Sequence, residues 1–184
     1  MSSSPESPRP TSSSISSPAP TRLGVLSDTH GRAATCRTAV AMLLDAGVDR
    51  LIHLGDVGSE AVLEELVADV PSSVVFGNCD DARRLGAYAE HLGLDVTHPI
   101  GRLSSHGVDV AWTHGHLPHC VEEAQASADL LFIGHSHCIA DEMRGRTRVV
   151  NPGALFRAAR YTAMIADLKT SRMAWCEVGR PQPR

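Results

Sequence analysis

The sequence predicts an α/β fold: a four-layer α/β/β/α sandwich of two mixed β-sheets flanked by helices. Three observations lead there. Between residues 22 and 92 short apolar runs alternate with helical patterns, a βαβαβα rhythm that calls for parallel strands with crossover helices. From residue 101 onward, hairpin patterns replace that rhythm and call for antiparallel pairing. Finally, five apolar strands each run directly into Asp, Asn or His, at the strand ends where open α/β sheets bind ligands.

The elements follow in order. Arg22–Ser27 reads as a short buried strand. Ala33–Ala46 is rich in Ala and Leu and places Val40, Leu43 and Leu44 on one helical face. Leu51–Leu54 is a second strand, and Glu60–Val70 carries Val62, Leu63, Leu66, Val67 and Val70 at helical spacing. Val74–Phe76 is a third strand and Asp81–Leu92 a third helix. Gly101–Leu103 and Val108–Thr113 flank Ser105-His106-Gly107 as a hairpin. Val121–Ser127 is a short helix and Leu130–Gly134 a buried strand. Met143, Val149 and Val150 lie in or beside a hairpin at Gly145. Tyr161–Leu168 and Arg172–Val178 form the last hairpin, around Thr170-Ser171. No internal repeat and no second domain boundary is visible.

The chain has 184 residues, the length of one domain. Residues 1–20 hold nine Ser and five Pro and read as a disordered tail, leaving residues 21–180 as the folded domain. A net charge of −4 argues against a non-specific nucleic-acid partner, which requires a basic surface. The basic residues are sixteen Arg and one Lys, Lys169, which has no Gly-rich loop before it, so a P-loop or Schiff-base lysine is excluded. Five scattered cysteines without a C-x-x-C are not a disulfide framework, which indicates a reducing, cytoplasmic setting. Cys36, Cys120, Cys138 and Cys176 read as small buried apolar groups. No apolar run approaches the ~18 residues of a membrane span, so no membrane partner is expected, and no secretory leader pattern is present. A homo-oligomer is left open.

The strand ends are Ser27-Asp28-Thr29-His30, Gly55-Asp56, Gly77-Asn78-Cys79-Asp80, Thr113-His114-Gly115-His116 and Gly134-His135-Ser136-His137. In extended chain, residues i and i+2 face one side, so Asp28 with His30, and His135 with His137, can each reach into one site. Gly55, Gly77 and Gly134 permit positive φ and close backbone approach. An Asp-x-His arises readily by chance and a Gly-His-x-His seldom. Five such elements in order, each ending a strand, are far more specific than any member. The simpler reading, that these Asp and Asn residues only cap helices, does not account for the histidines. His53, inside a strand, reads as a satisfied core histidine, and His91, His98, His106 and His119 as surface or turn residues. Arg144, Arg146 and Arg148 alternate and are expected to share one solvated strand face.

These motifs resemble the calcineurin-like metallophosphoesterases, in particular their small single-domain bacterial and archaeal phosphodiesterases, whose pattern is D-x-H, G-D, G-N-[HC]-[DE], H-G-H and G-H-x-H. Asn151-Pro152-Gly153-Ala154 is similar to the Asn-Pro-Gly-Ser of that branch. The resemblance covers residues 22–178. It implies two divalent transition-metal ions, one on Asp28, His30, Asp56 and His137 and the other on Asp56, Asn78, His114 and His135, with Asp56 bridging. Imidazole and carboxylate without thiolate suit Mn, Zn, Fe, Ni or Co better than Mg or Ca, and Mn is the leading expectation. The implied reaction is hydrolysis of a phosphodiester, or of a phosphomonoester, by in-line attack of a metal-bridging hydroxide. Asn78, Cys79, Asp80 and His116 are the catalytic candidates. Cys79 stands where most of the family has a His thought to stabilise or protonate the leaving oxygen. The alternative is a catalytically weak scaffold like the retromer subunit of this fold. A Rossmann dinucleotide binder is excluded, because Asp28-Thr29-His30-Gly31 follows the first strand instead of G-x-G-x-x-G.

Overall fold

A computed structural model describes residues 19–179. The strands are β1 (Arg22–Leu26), β2 (Arg50–His53), β3 (Ser72–Val74), β4 (Asp95–Val96), β5 (Gly101–Ser105), β6 (Val108–Thr113), β7 (Leu130–Ile133), β8 (Ala140–Arg144), β9 (Thr147–Asn151), β10 (Thr162–Asp167) and β11 (Arg172–Glu177). The helices are α1 (Ala33–Asp45), α2 (Glu60–Glu64), α3 (Ala82–His91) and α4 (Pro118–Ser127).

Two mixed sheets form, in the orders β11-β10-β1-β2-β3-β4 and β5-β6-β7-β9-β8. In the first, β1 to β4 are parallel, while β10 runs antiparallel to both β1 and β11. In the second, β6, β7 and β9 are parallel, and β5 and β8 close the edges antiparallel. Period-two alternation explains the layers. Leu23 and Val25 of β1 pack with Ile52, Met164, Trp112, Phe132 and Val150 in the core between the sheets. Leu26 points the other way, toward Cys36, Ala39 and Leu43 of α1. A third cluster joins Ala124 of α4 to Ala111, Leu131 and Val149 on the outer face of the second sheet. The stack is therefore helices, sheet, sheet, helix, as the sequence predicts.

Several local expectations change. The helix expected over Glu60–Val70 stops at Glu64. Its next turn tightens, with the N–H groups of Leu66 and Val67 bonded three residues back to Leu63 and Glu64, and the Ser72 hydroxyl takes the Leu66 carbonyl. Val67, placed on the apolar face by spacing, is 53% exposed. The third strand pairs over Ser72–Val74 instead of Val74–Phe76, although Val75 and Phe76 remain buried. β4, two residues long, was too short to signal itself. α4 begins at Pro118, ahead of Val121, because proline suits the first turn of a helix. Arg144, Arg146 and Arg148 do not share a strand face. The turn at Gly145 (φ +64°) intervenes, and Met143, not Arg144, lies opposite Arg148. Arg144 pairs with Glu142, Arg148 pairs with Asp141, and Arg146 donates to the Ala126 carbonyl. Cys36 and Cys120 are buried, but Cys138 is exposed and Cys176 half-buried: one follows the His137 loop and the other lies on edge strand β11. The tail expectation falls outside the described residues except at Ala19 and Pro20, and the Pro20 carbonyl accepts from Ser105 Oγ at 2.6 Å. Among the described residues no helix is long and apolar enough to cross a membrane.

Candidate metal centre

The loops that leave β1, β2, β6 and β7 meet at one end of the two sheets. Asp28, His30, Asp56, His135 and His137 all have positive φ, between +44° and +66°. Such backbone is uncommon for residues other than glycine and concentrates at functional sites. Among the described residues, five of the eight non-glycine residues with positive φ are thus candidates drawn from the sequence motifs. This also corrects the route by which the pairs converge. Asp28 with His30, and His135 with His137, are not extended; the left-handed turns themselves aim both members of each pair inward.

The first group is tight. Ligand-capable atoms of Asp28, His30, Asp56 and His137 all lie within 4.8 Å of one another. His137 Nε2 is 3.2 Å from Asp28 Oδ1, and His30 Nε2 is 3.4 Å from both Asp56 Oδ2 and His137 Nε2. The second group lies on the other side of Asp56. His114 Nε2 is 3.6 Å from Asp56 Oδ1, and the His135 ring stands 5.1 Å from the His114 ring between centroids. The two Asp56 oxygens therefore face different histidine groups. His116 sits beside His114 and His135, at centroid distances of 5.2 and 6.2 Å. Burial, then His114 and His135, hold its ring below the ordinary histidine range. Asn78 and Cys79 are exposed, and Asn78 Nδ2 donates to Cys79 Sγ at 3.4 Å.

The donor set fits metal ions. His114 Nδ1–H donates to the Leu54 carbonyl at 2.9 Å, which leaves Nε2 as the bare lone pair. That Nε2 and Asp28 Oδ1 are buried without a hydrogen-bond partner, which is costly unless a cation satisfies them. A histidine whose second nitrogen is fixed by a backbone carbonyl is the usual arrangement of a metal ligand. At Asp56, burial favours the neutral acid, but the Cys79 N–H at 2.9 Å and the adjacent His114 and His30 outweigh it and hold the carboxyl below its ordinary value. At Asp28 burial prevails over His114 and His137 and pushes the carboxyl up.

Neighbouring residues fix these loops. Asp80 Oδ2 accepts from the N–H groups of Val57 and Gly77, and Oδ1 from Gly58, so its carboxylate ties the Asp56 loop to the Asn78 loop. A Cβ on Gly77 would stand 2.0 Å from Asp56 Oδ1, and one on Gly134 2.1 Å from Ser27 Oγ. At these two positions the requirement is room, whereas Gly55 has φ +101° as well. His53 is the expected core histidine. Gly55 N–H donates to its Nδ1, its Nε2–H donates to Thr29 Oγ1, and burial lowers its pKa to about 3. His106 bonds Thr21 at the surface, whereas His98 does more than expected: its Nδ1 accepts the Phe76 N–H at 3.2 Å. Two contributors had no signal from strand-end chemistry. Asn151 Nδ2 donates to the Gly134 carbonyl and to Ser136 Oγ and so braces the loop of His135 and His137; only the Asn-Pro-Gly motif pointed there. Phe156 packs its ring 5.2 Å from His30.

A model of the calcineurin-like phosphoesterase superfamily domain matches residues 22–171. The chain belongs to that superfamily. It is 30% identical over 140 residues to the probable metallophosphoesterase YsnB of Bacillus subtilis, covering 71% of this chain and 73% of that protein. It is 27% identical over 163 residues to the phosphodiesterase MJ0936 of Methanocaldococcus jannaschii, covering 85% and 98%. Among solved structures, an archaeal phosphodiesterase superposes with a TM-score of 0.75 at 22% identity, covering 85% of this chain and 99% of that one. Vps29 of Entamoeba histolytica superposes with a TM-score of 0.60 at 15% identity, covering 86% and 99%, and shows the shared fold alone. Superfamily membership and these relatives support a phosphoester hydrolase.

Proposed function

We propose that the protein is a dinuclear metal-dependent phosphodiesterase that cleaves a P–O bond by in-line displacement. The observation that carries the reading is Asp56, whose two carboxylate oxygens face two separate histidine groups. Asp28, His30, Asp56 and His137 would hold one ion, and Asp56, Asn78, His114 and His135 the other. Divalent ions there, with Mn favoured and Zn, Fe, Ni or Co as alternatives, supply Lewis acidity toward the phosphoryl oxygens and a hydrolytic nucleophile at neutral pH. Asp56 is kept ionised for this task, and the Leu54 carbonyl holds His114 in the tautomer that presents Nε2. Asn78 and His116 would touch the phosphoryl group or the leaving oxygen, a role that the rings of His114 and His135 beside His116 support. Asp80 acts as a positioning residue, since all three of its bonds go to backbone N–H groups.

The test is an activity screen of the metal-reconstituted protein across aryl and alkyl phosphodiesters, cyclic nucleotides and phosphomonoesters. Turnover of diesters above monoesters is expected. Less than one ion per chain together with no turnover would favour the scaffold reading, which the likeness to Vps29 keeps as the second possibility.

A further inference from the structure

We propose that Arg32, Phe156 and Arg157 form a second anion subsite beside the metal centre, and that the substrate carries a further phosphate or comparable anionic group next to the scissile phosphodiester. This deepens the phosphodiesterase reading and rests on it. Phe156 leans on His30, with 5.2 Å between ring centroids and 49° between planes, so its position is tied to the centre. Two guanidinium groups lie over the same ring: the Cζ of Arg32 is 4.8 Å from the centroid and that of Arg157 is 5.1 Å away.

Cation–π attraction is enough to seat a guanidinium on the half-buried ring but too weak to neutralise its charge. An anion beside the ring is attracted by both guanidinium charges. Guanidinium is also the side chain best shaped for two-point contact with phosphate. Six other described arginines are neutralised by carboxylates, while Arg22 and Arg146 donate to backbone carbonyls. Arg37, Arg50, Arg84, Arg102, Arg144 and Arg148 each pair with a carboxylate. Arg32 and Arg157 are exposed and have the aromatic ring as their partner instead. Arg157 is held at φ +48°, a conformation an arginine rarely adopts, and strained backbone of this kind gathers at ligand clamps. The two side chains come from different segments, one directly before α1 and the other after the Asn151-Pro152-Gly153 turn. Both meet at Phe156, the ring that packs on His30.

The experiment uses the full chain reconstituted with Mn2+ and two substrates, the p-nitrophenyl ester of a nucleoside 5′-phosphate and the same ester bearing an additional 3′-phosphate. The wild type should prefer the second by kcat/KM, mainly through KM. Arg32→Gln combined with Arg157→Gln should reduce that preference at least tenfold, and Phe156→Leu should reduce it less. An unchanged preference, or equal losses on both esters, would overturn the subsite, the latter assigning the arginines to the scissile phosphate. Calorimetry of a nucleoside 3′,5′-bisphosphate against the 5′-monophosphate gives a readout independent of turnover. Tighter binding of the bisphosphate that vanishes in the double variant supports the subsite, and equal binding contradicts it. If neither ester is hydrolysed, the phosphodiesterase reading fails while calorimetry still decides the subsite.

Discussion

Cys79 shows how the backbone of a residue can matter more than its side chain. Its N–H donates to Asp56 Oδ1 at 2.9 Å. Its thiol is exposed and pushed up, by burial of the sulfur first and then by the Asp56, Asp80 and Asp28 carboxylates. That push opposes the pull toward thiolate that the proposed metal ions would exert. A thiol is in either form a poor substitute for an imidazole acid. Cys79→Ala keeps the N–H and should cost less than about tenfold, below the ~10²–10⁴-fold typical of general-acid catalysis. Asn78→Ala should cost far more, by weakening a metal. Kinetics on one aryl and one alkyl diester check both, and equal losses would assign Cys79 a direct role. The pairing of Asp28 with His30 and of His135 with His137 was legible in the sequence. The left-handed backbone that aims them was not, because only their loops' tertiary setting selects that conformation at an Asp or His.

At the scale of elements, the end of β9 and the turn that follows it support the centre. Asn151 is buried, donates to Gly134 O at 2.9 Å and Ser136 Oγ at 3.1 Å, and accepts from Gly153 N–H at 2.8 Å. Asn151→Ala leaves buried groups unpaired, at about 1–3 kcal/mol in denaturant unfolding. It should also lower the affinity of the site for Mn2+ in a direct titration. Unchanged stability and metal affinity would remove Asn151 from the support of the centre. Asp80→Ala should act similarly through the loops of Asp56 and Asn78, with lost stability and weakened metal binding together. Long amphipathic patterns such as α1 were read to within a residue, while α2 and β3 were misjudged at their ends. Those ends are set by a tertiary bond from Ser72 to Leu66 O and by strand register, neither of which leaves a periodic trace.

For the whole molecule, the two-sheet sandwich was legible because each layer imposes its own period: Leu23 and Val25 face one core and Leu26 the other. β4 and the division of strands between sheets were beyond it, since pairing partners depend on contacts distant in the chain. His53 connects the core to stability. Its pKa falls from the ordinary 6.5 to about 3 on folding, so the unfolded chain takes up the extra proton and stability is lost as pH drops below about 6.5. At pH 5 its share of that loss is roughly 2 kcal/mol. Denaturant midpoints between pH 6.5 and 5 should therefore fall less in His53→Gln than in the wild type, and parallel slopes would refute this share.

In the proposed centre Asp56 joins two metal positions. Elemental analysis after Mn2+ reconstitution and removal of free metal tests it most directly, with wild type, His137→Ala, His135→Ala and Asp56→Ala measured side by side. About two ions per chain are expected in the wild type. His137→Ala should weaken mainly the first position and His135→Ala mainly the second, and Asp56→Ala should lose both together with activity. Full metal occupancy in Asp56→Ala would contradict it.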